Sequence, residues 1–465
     1  MQGVSKFVSC LLAVGFLLFS AVAADWTVAV DSSVELGPIK PVNAVNCGPC
    51  EPGSLQGKAY KAANIPFART HDMNHCWSYG GPHVIDIAAL FPNFDADETK
   101  AENYDFHLTD EALDWMISAG TEPFFRLGPS IEPWSKKYHT HPPKDYAKWA
   151  RICEHVIAHY TEGWANGRRW KITYWEIWNE PDLGAAMWTG TKEEFVKFFI
   201  VAAKHLKARF PHLKIGGPAM SRTLAWKELF IPTCAAEKAP LDFYSWHGYC
   251  ADARHPAREA KKVREWLDSH GYEKTESIYN EWNYVKGWGG GEWRYSRQVE
   301  SGYLNQKVAA YAAAMMTECQ NVSIDMAMYY DVRTHGGMNV LFESITHRPL
   351  RGYYPFYAWG RMLRDYPTQV KCALSSEAQK RGELFAVAAR AKSGAVALYL
   401  SRYTDDDNVH GDCIVRLELP KGGRYRCHLT DDWHIFTEVP LESAADGMLE
   451  LMLMPSSFAF IESEK

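Results

Sequence analysis

Ile172-Thr-Tyr-Trp-Glu-Ile-Trp-Asn-Glu-Pro-Asp182 is the stretch from which the rest of the chain can be read. β-branched and aromatic residues run as far as Trp178, the composition of a buried strand, and Pro181 then removes a ladder donor and ends it. The strand finishes on a carboxylate, Glu180, flanked by the amide of Asn179. When parallel strands close into a barrel, the C-terminal ends of the strands carry the chemistry, so the question becomes whether this strand has seven companions.

It does. Short apolar runs at 42–46, 67–71, 123–127, 172–180, 213–217, 243–247, 277–281 and 324–330 each precede a helical pattern. Such runs suit strands buried on both faces, and eight strand-then-helix units between residues 41 and 365 predict a closed (β/α)8 TIM barrel of the α/β class. The helices carry their own signals. Thr191-Lys-Glu-Glu194 is a capping box that opens a helix through Phe195, Phe198, Phe199 and Leu206. Tyr146, Trp149, Ile152, Val156, Ile157 and Tyr160 form one apolar stripe, and Gly271 stands where the helix begun at Pro256 needs a C-terminal cap. Between His71 and Thr109 lies a long connection rich in glycine, proline and aromatic residues, of the kind that lies over a barrel mouth.

Beyond residue 365 the texture changes to short alternating runs separated by Gly, Asp and Pro turns, which predicts a C-terminal β-sandwich domain over 366–465. The alternating run Trp26–Asp31 within 25–40 reads as a half-buried strand placed to pair with that sandwich. Ahead of it, Lys6, the apolar run 7–24 and the small residues Ala21, Ala23 and Ala24 read as a secretory signal peptide over 1–24. That implies a secreted or periplasmic protein with no stable membrane insertion after cleavage. An uncleaved anchor is the alternative, since the run approaches bilayer length. Net charge is −6 with no Lys/Arg run, which argues against nucleic acid as a partner. The ten cysteines after residue 24 make disulfides plausible after export, without revealing their pairing.

Glu180 acquires a meaning from a second strand end. Ser277-Ile-Tyr-Asn-Glu-Trp-Asn283 delivers Glu281 from the seventh strand, nearly opposite the fourth. Two carboxyl groups about 5 Å apart over one cleft are what retaining glycoside hydrolysis needs: one protonates the leaving oxygen while the other attacks the anomeric carbon. Asn179 is placed to bind a sugar hydroxyl, Arg69 to hold a carboxylate ionised, and Tyr249 to orient Glu281. Glu180, as the acid, is expected in less polar surroundings than Glu281. His247 ends the sixth strand; His71, Trp282, Tyr330, Asp331 and Arg333 lie at or just beyond other strand ends, with Asp72, Trp77 and Tyr79 in the loop after the second.

Trp-Asn-Glu-Pro at 178–181, Trp-His-Gly-Tyr at 246–249, Asn-Glu-Trp at 280–282 and the appended sandwich together resemble clan A of the glycoside hydrolases, and most closely family 39. That family includes β-xylosidases, α-L-iduronidases and β-galactosidases. The resemblance covers essentially the whole chain after residue 24. It implies that Glu180 is the acid/base and Glu281 the nucleophile, with Asn179, His247 and Tyr249 assisting. Asn280 departs from the threonine of xylosidase-like members. A uronide substrate needs a cation for its carboxylate, for which Arg333 is the candidate. The expected enzyme is a retaining exo-acting hydrolase of terminal β-galactosides, β-xylosides or α-L-arabinosides in oligo- or polysaccharides, needing no cofactor and no metal. An endo-acting glycanase and a non-catalytic carbohydrate-binding protein are the alternatives.

Two further motifs need weighing. Cys47-Gly-Pro-Cys50 copies a redox motif, but Glu51-Pro52-Gly53 blocks the helix that lowers the reactive thiol's pKa, so a local disulfide or a pair of buried thiols is expected. A metal cluster with His75 and Cys76 lacks the second Cys-x-x-Cys that such sites use. Gly287-Trp-Gly-Gly-Gly-Glu-Trp293 lacks the Lys-Ser/Thr of a phosphate loop and reads either as a mobile cover, with Trp288 or Trp293 lining a sugar subsite, or as plain loop packing. Asn321-Val-Ser323 matches a glycosylation sequon.

Overall fold

The computed structural model describes residues 26–73, 83–131, 135–300, 305–334 and 338–464. The N-terminal segment and His75, Cys76, Trp77 and Tyr79 lie outside these residues. Eight parallel strands close into a barrel in sequence order, each paired with the next and β9 with β2. They follow β1 (Trp26–Pro38) and are β2 (Ala44–Asn46), β3 (Phe67–Arg69), β4 (Glu122–Leu127), β5 (Tyr174–Ile177), β6 (Lys214–Met220), β7 (Phe243–His247), β8 (Glu276–Trp282) and β9 (Met326–Tyr329). Among the described residues no helix is long and apolar enough to cross a membrane.

Period-two alternation builds the interior in layers. Ala44, Phe124, Tyr174, Phe243, Ile278, Met326 and Met328 form one cluster that plugs the lower half of the barrel. One residue pair further along the strands the filling turns polar, with Arg69, Glu176, Ser245 and Asn280 all buried. Outward-facing Phe125, Trp175, Ile177 and Tyr279 pack instead into the large core shared with the helices. The helix Lys192–Arg209 has the predicted capping box, Thr191 with Glu194.

The remaining strands are β10 (Thr368–Leu374), β11 (Leu384–Arg390), β12 (Val396–Arg402), β13 (Cys413–Glu418), β14 (Tyr425–Thr430), β15 (Thr437–Val439), β16 (Glu442–Ser443), β17 (Leu449–Leu453) and β18 (Ser457–Ser463). With β1 they form one hydrogen-bonded order, β15-β14-β18-β12-β11-β10-β1-β13-β17-β16. Cys427 and Leu429 from one wing and Leu451 and Leu453 from the other share a core, so the strands close over each other as a sandwich. β1 runs antiparallel to β10 and parallel to β13, with irregular register between Asp31 and Gly37.

Two local readings differ from the sequence pattern. The strand predicted through Glu180 stops at Ile177, because Trp178 adopts φ +73° and leaves the ladder direction. The glycine-rich stretch after Glu281 contributes residues to a helix, Gly290–Glu300, so only its first part is loop. All nine described cysteines are free thiols, Cys47 and Cys50 included. Burial pushes the Cys50 thiol up to about 11 and raises Cys47 as well, the opposite of an activated redox pair.

Candidate active site

The strand ends converge on a cavity of about 870 Å³ lined by Glu180, His247, Gly248, Tyr249, Glu281, His71, Tyr330, Trp288 and Met338, and on its other side by Asp182, Ser221, Arg222, Leu224, His255 and Glu259. Its floor is the polar layer of the barrel. Glu176, fully buried, accepts from Arg69 Nε (2.6 Å), Ser245 Oγ (2.6 Å) and Asn280 Nδ2 (2.6 Å). Arg69 then spreads its other nitrogens to Asn46 Oδ1 (3.2 Å), Asn179 Oδ1 (2.7 Å) and Glu281 Oε1 (2.7 Å). A guanidinium buried this fully requires several acceptors in fixed directions, and it locks them in return.

Two local distortions aim the carboxyl groups. In β5, Tyr174 and Glu176 point into the barrel, so strict alternation would bring Trp178 inward too. Its left-handed backbone instead sends the indole out against Trp149, Trp188 and Phe198 and returns Asn179 and Glu180 to the mouth. Glu180 N donates to Ala219 O (2.9 Å), fixing the turn to the end of β6. In β8, Tyr279 faces outward, and alternation would send Glu281 the same way. The register to β7 skips a residue, Trp246 opposing Tyr279 and His247 opposing Glu281, so Asn280 and Glu281 both turn inward.

Glu281 is clamped. Arg69 holds one oxygen and Tyr249 Oη donates to the other at 2.6 Å. Glu180 Oε1 meets His247 Nδ1 at 2.8 Å, and the same nitrogen is 3.4 Å from Glu281 Oε2. One oxygen of each glutamate and one nitrogen of His247 all lie within 4.8 Å of each other. Burial, reinforced by the charge of Asp182, pushes Glu180 up to about 8 against the pull of Arg69. Burial and the neighbouring Glu180 raise Glu281 too, but Arg69 and the Tyr249 hydroxyl draw it back down. The shared proton therefore belongs on Glu180. Burial lowers His247 to about 4, so its ring is neutral between the two acids.

The structure brings together Glu180, Glu281, Asn179, Arg69, His247 and Tyr249, with His71 and Tyr330 on the pocket wall. His71 Nε2 is 3.8 Å from Glu281 Oε1. Asn179 Nδ2 and His247 Nε2 are buried and have no hydrogen-bond partner among the described residues, which leaves them available to a bound molecule. Trp282 is not part of the pocket: its ring faces outward, stacked 6.1 Å from Phe356, and packs the core. Arg333 is buried against Asp331 (2.7 Å) and the Tyr330 hydroxyl (3.3 Å) and does not line the cavity, which counts against it as a carboxylate anchor. Asn280 serves Glu176 and likewise does not line the pocket. Glu176, Ser245, Asn46 and Asp182 were not legible as site residues; the signal available was a carboxylate four residues before Glu180 in a strand otherwise buried and apolar.

Comparison with known proteins agrees with this geometry. The family model for glycosyl hydrolases family 39 matches residues 26–268, more than half of the chain and including Glu180, His247 and Tyr249. A β-xylosidase of Geobacillus stearothermophilus is 30% identical over 185 residues, 37% of this chain and 36% of that protein. The match spans just over a third of the length of the curated relatives. Among solved structures, a glucosidase from Croceicoccus marinus superposes with a TM-score of 0.74 at 19% identity, covering 94% of this chain and 98% of that one. A monomeric β-xylosidase from Caulobacter crescentus gives 0.64 at 16%, covering 94% and 99%. These two likenesses establish the shared fold. With the barrel, the sandwich and the family match together, the chain belongs to glycosyl hydrolases family 39.

Proposed function

We propose that the protein is a retaining exo-acting glycoside hydrolase that removes a terminal β-xyloside or α-L-arabinoside, with β-galactoside as the third candidate sugar, from an oligo- or polysaccharide. The observation that carries the reading is the pair Glu180 and Glu281, whose oxygens approach within 4.8 Å across one pocket. A separation of about 5 Å suits direct attack by one carboxylate, whereas inversion needs room for a water between them. Glu281, with Arg69 and Tyr249 on its two oxygens, attacks the anomeric carbon as a carboxylate. Glu180 gives its proton to the leaving oxygen, then takes one from the water that opens the glycosyl-enzyme ester. Neutral His247 keeps the Glu180 carboxyl aimed at the cleft, and Asn179, held by Arg69 through its carbonyl, presents its free amide to a sugar hydroxyl. The match to β-xylosidases supports the choice of sugar.

A panel of aryl β-xyloside, α-L-arabinoside, β-galactoside and uronide substrates tests the sugar, and NMR of the first-formed product tests the stereochemistry. Retention is expected. Glu281→Ala should lose activity by about 10⁴-fold or more, with azide restoring turnover and giving the glycosyl azide of opposite anomeric configuration. Net inversion in the wild-type product would refute the mechanism.

A further inference from the structure

Lys307 sits near the start of the apolar helix Asn305–Gln320 with its side chain 5% exposed. A buried ammonium needs counter-charges, and these come from the other domain. In the loop after β12, Asp407 Oδ1 lies 2.7 Å and Asp405 Oδ1 3.2 Å from Lys307 Nζ, which also donates to Asp405 O (3.0 Å). The same two aspartates reach past Lys307 to the segment that follows Glu281. Tyr284 donates to Asp405 Oδ1 (2.5 Å), Lys286 pairs with Asp405 Oδ2 (3.0 Å), and Tyr295 donates to Asp407 Oδ2 (2.6 Å).

Lys286 and Tyr295 bracket Trp288 and Trp293, whose rings stack at 5.2 Å and 22°. Trp288 lines the pocket yet is 62% exposed, whereas Glu281 is 4% exposed, so the indole stands at the mouth while the reacting carbon sits below. Its ring also meets Tyr249 edge-on at 5.4 Å, and Tyr249 is the hydroxyl on Glu281. A continuous set of contacts therefore runs from the sandwich to the pocket wall and on to the nucleophile.

We propose that Asp405 and Asp407 are positioning residues for the reaction: from the sandwich they fix segment 284–296 so that Trp288 serves as a platform for a second pyranose ring, the one beyond the scissile bond. A flat aromatic face against the apolar face of a sugar contributes only if it is held still, and holding it is the task of this cluster. The inference rests on the glycosidase reading.

The test compares two substrates of the best sugar from the panel in the full-length protein: its glycosyl fluoride, which fills only the inner site, and its oligosaccharide. The double variant Asp405→Asn/Asp407→Asn should raise KM for the oligosaccharide by about fivefold or more, the scale of one lost ring contact, and leave the fluoride kinetics within about twofold. Trp288→Ala should give the same split, and combining it with the double variant should add little. Lys286→Met cuts the link from the barrel side without touching Lys307 and should behave alike even if the double variant folds poorly. An unchanged KM for the oligosaccharide, or parallel loss on both substrates, overturns the positioning role. Wild-type enzyme that hydrolyses neither substrate removes the glycosidase reading and this one with it.

Discussion

Asp182 stands two residues beyond Glu180 with its side chain fully buried, accepting from Ser221 N (2.9 Å) and Ser221 Oγ (2.7 Å) and pairing with Arg222 Nε at 3.4 Å. Its negative charge raises Glu180 second only to burial, while Arg69 opposes; His247 and Glu281 face the same carboxyl. With Glu180 as the proposed acid, activity should fall as pH rises through about 8. Removing the charge of Asp182 lowers that pKa, so the alkaline limb of kcat/KM should move down. Asp182→Asn, which keeps the shape, is expected to shift it by about one pH unit, read from pH profiles on a substrate with a poor leaving group. An unmoved limb would assign the shift to burial and the charge of Asp72. Glu180, Glu281, Arg69, His247 and Tyr249 were legible because each ends a strand with a polar group where an apolar one belongs. Asp182 was not, since in sequence it is one more residue after the proline, and its effect depends on burial beneath a loop from β6.

The elements were legible in number and order, because eight short apolar runs alternating with amphipathic helices leave few architectures. What alternation could not supply was the aim of the groups at the mouth: Asn179 and Glu281 sit at strand positions whose parity is wrong for the pocket, corrected by the left-handed Trp178 and by the skipped residue at Asn280. β18 is a plain apolar run, Phe458 to Ile461, buried on both faces and so without the alternation that marks a strand in sequence. The Trp178 turn depends on Gly128, where an added Cβ would lie 2.9 Å from Trp178 Cα. That neighbour is backbone and cannot swing away, so Gly128→Ala should displace the turn and misaim Glu180. The expected result is a fall in kcat/KM of about tenfold or more on substrates that need protonation, and much less on glycosyl fluorides, with about 1–3 kcal/mol lost in stability. Equal losses on both substrate types would place the damage elsewhere.

At the scale of the molecule, barrel and sandwich share a packed seam. β12 is buried on both faces: Leu398 and Leu400 face the sandwich core, while Ala397 and Tyr399, with Phe458 and Phe460 of β18, join the barrel's core. Tyr399 meets Trp359 of the helix Tyr353–Asp365 edge-on at 4.9 Å. One carboxylate ties this seam. Glu462, 1% exposed, accepts from Arg361 (2.6 Å) and Tyr366 (3.1 Å) on the barrel side and from Arg426 (2.9 Å) on β14. Arg361 keeps partial contact with solvent, so losing its partner is cheaper than for a fully interred charge. Glu462→Ala should therefore cost about 3 kcal/mol, the low end for breaking a buried pair. Because the seam is shared, the loss should lower one transition for the whole chain rather than release the sandwich first. Calorimetry of wild type and variant should show a single peak in each, with the variant's at lower temperature and with tryptophan fluorescence, dominated by the barrel, melting in step. A second peak that moves alone in Glu462→Ala would mean that the sandwich unfolds as an independent unit and that the seam does not couple them.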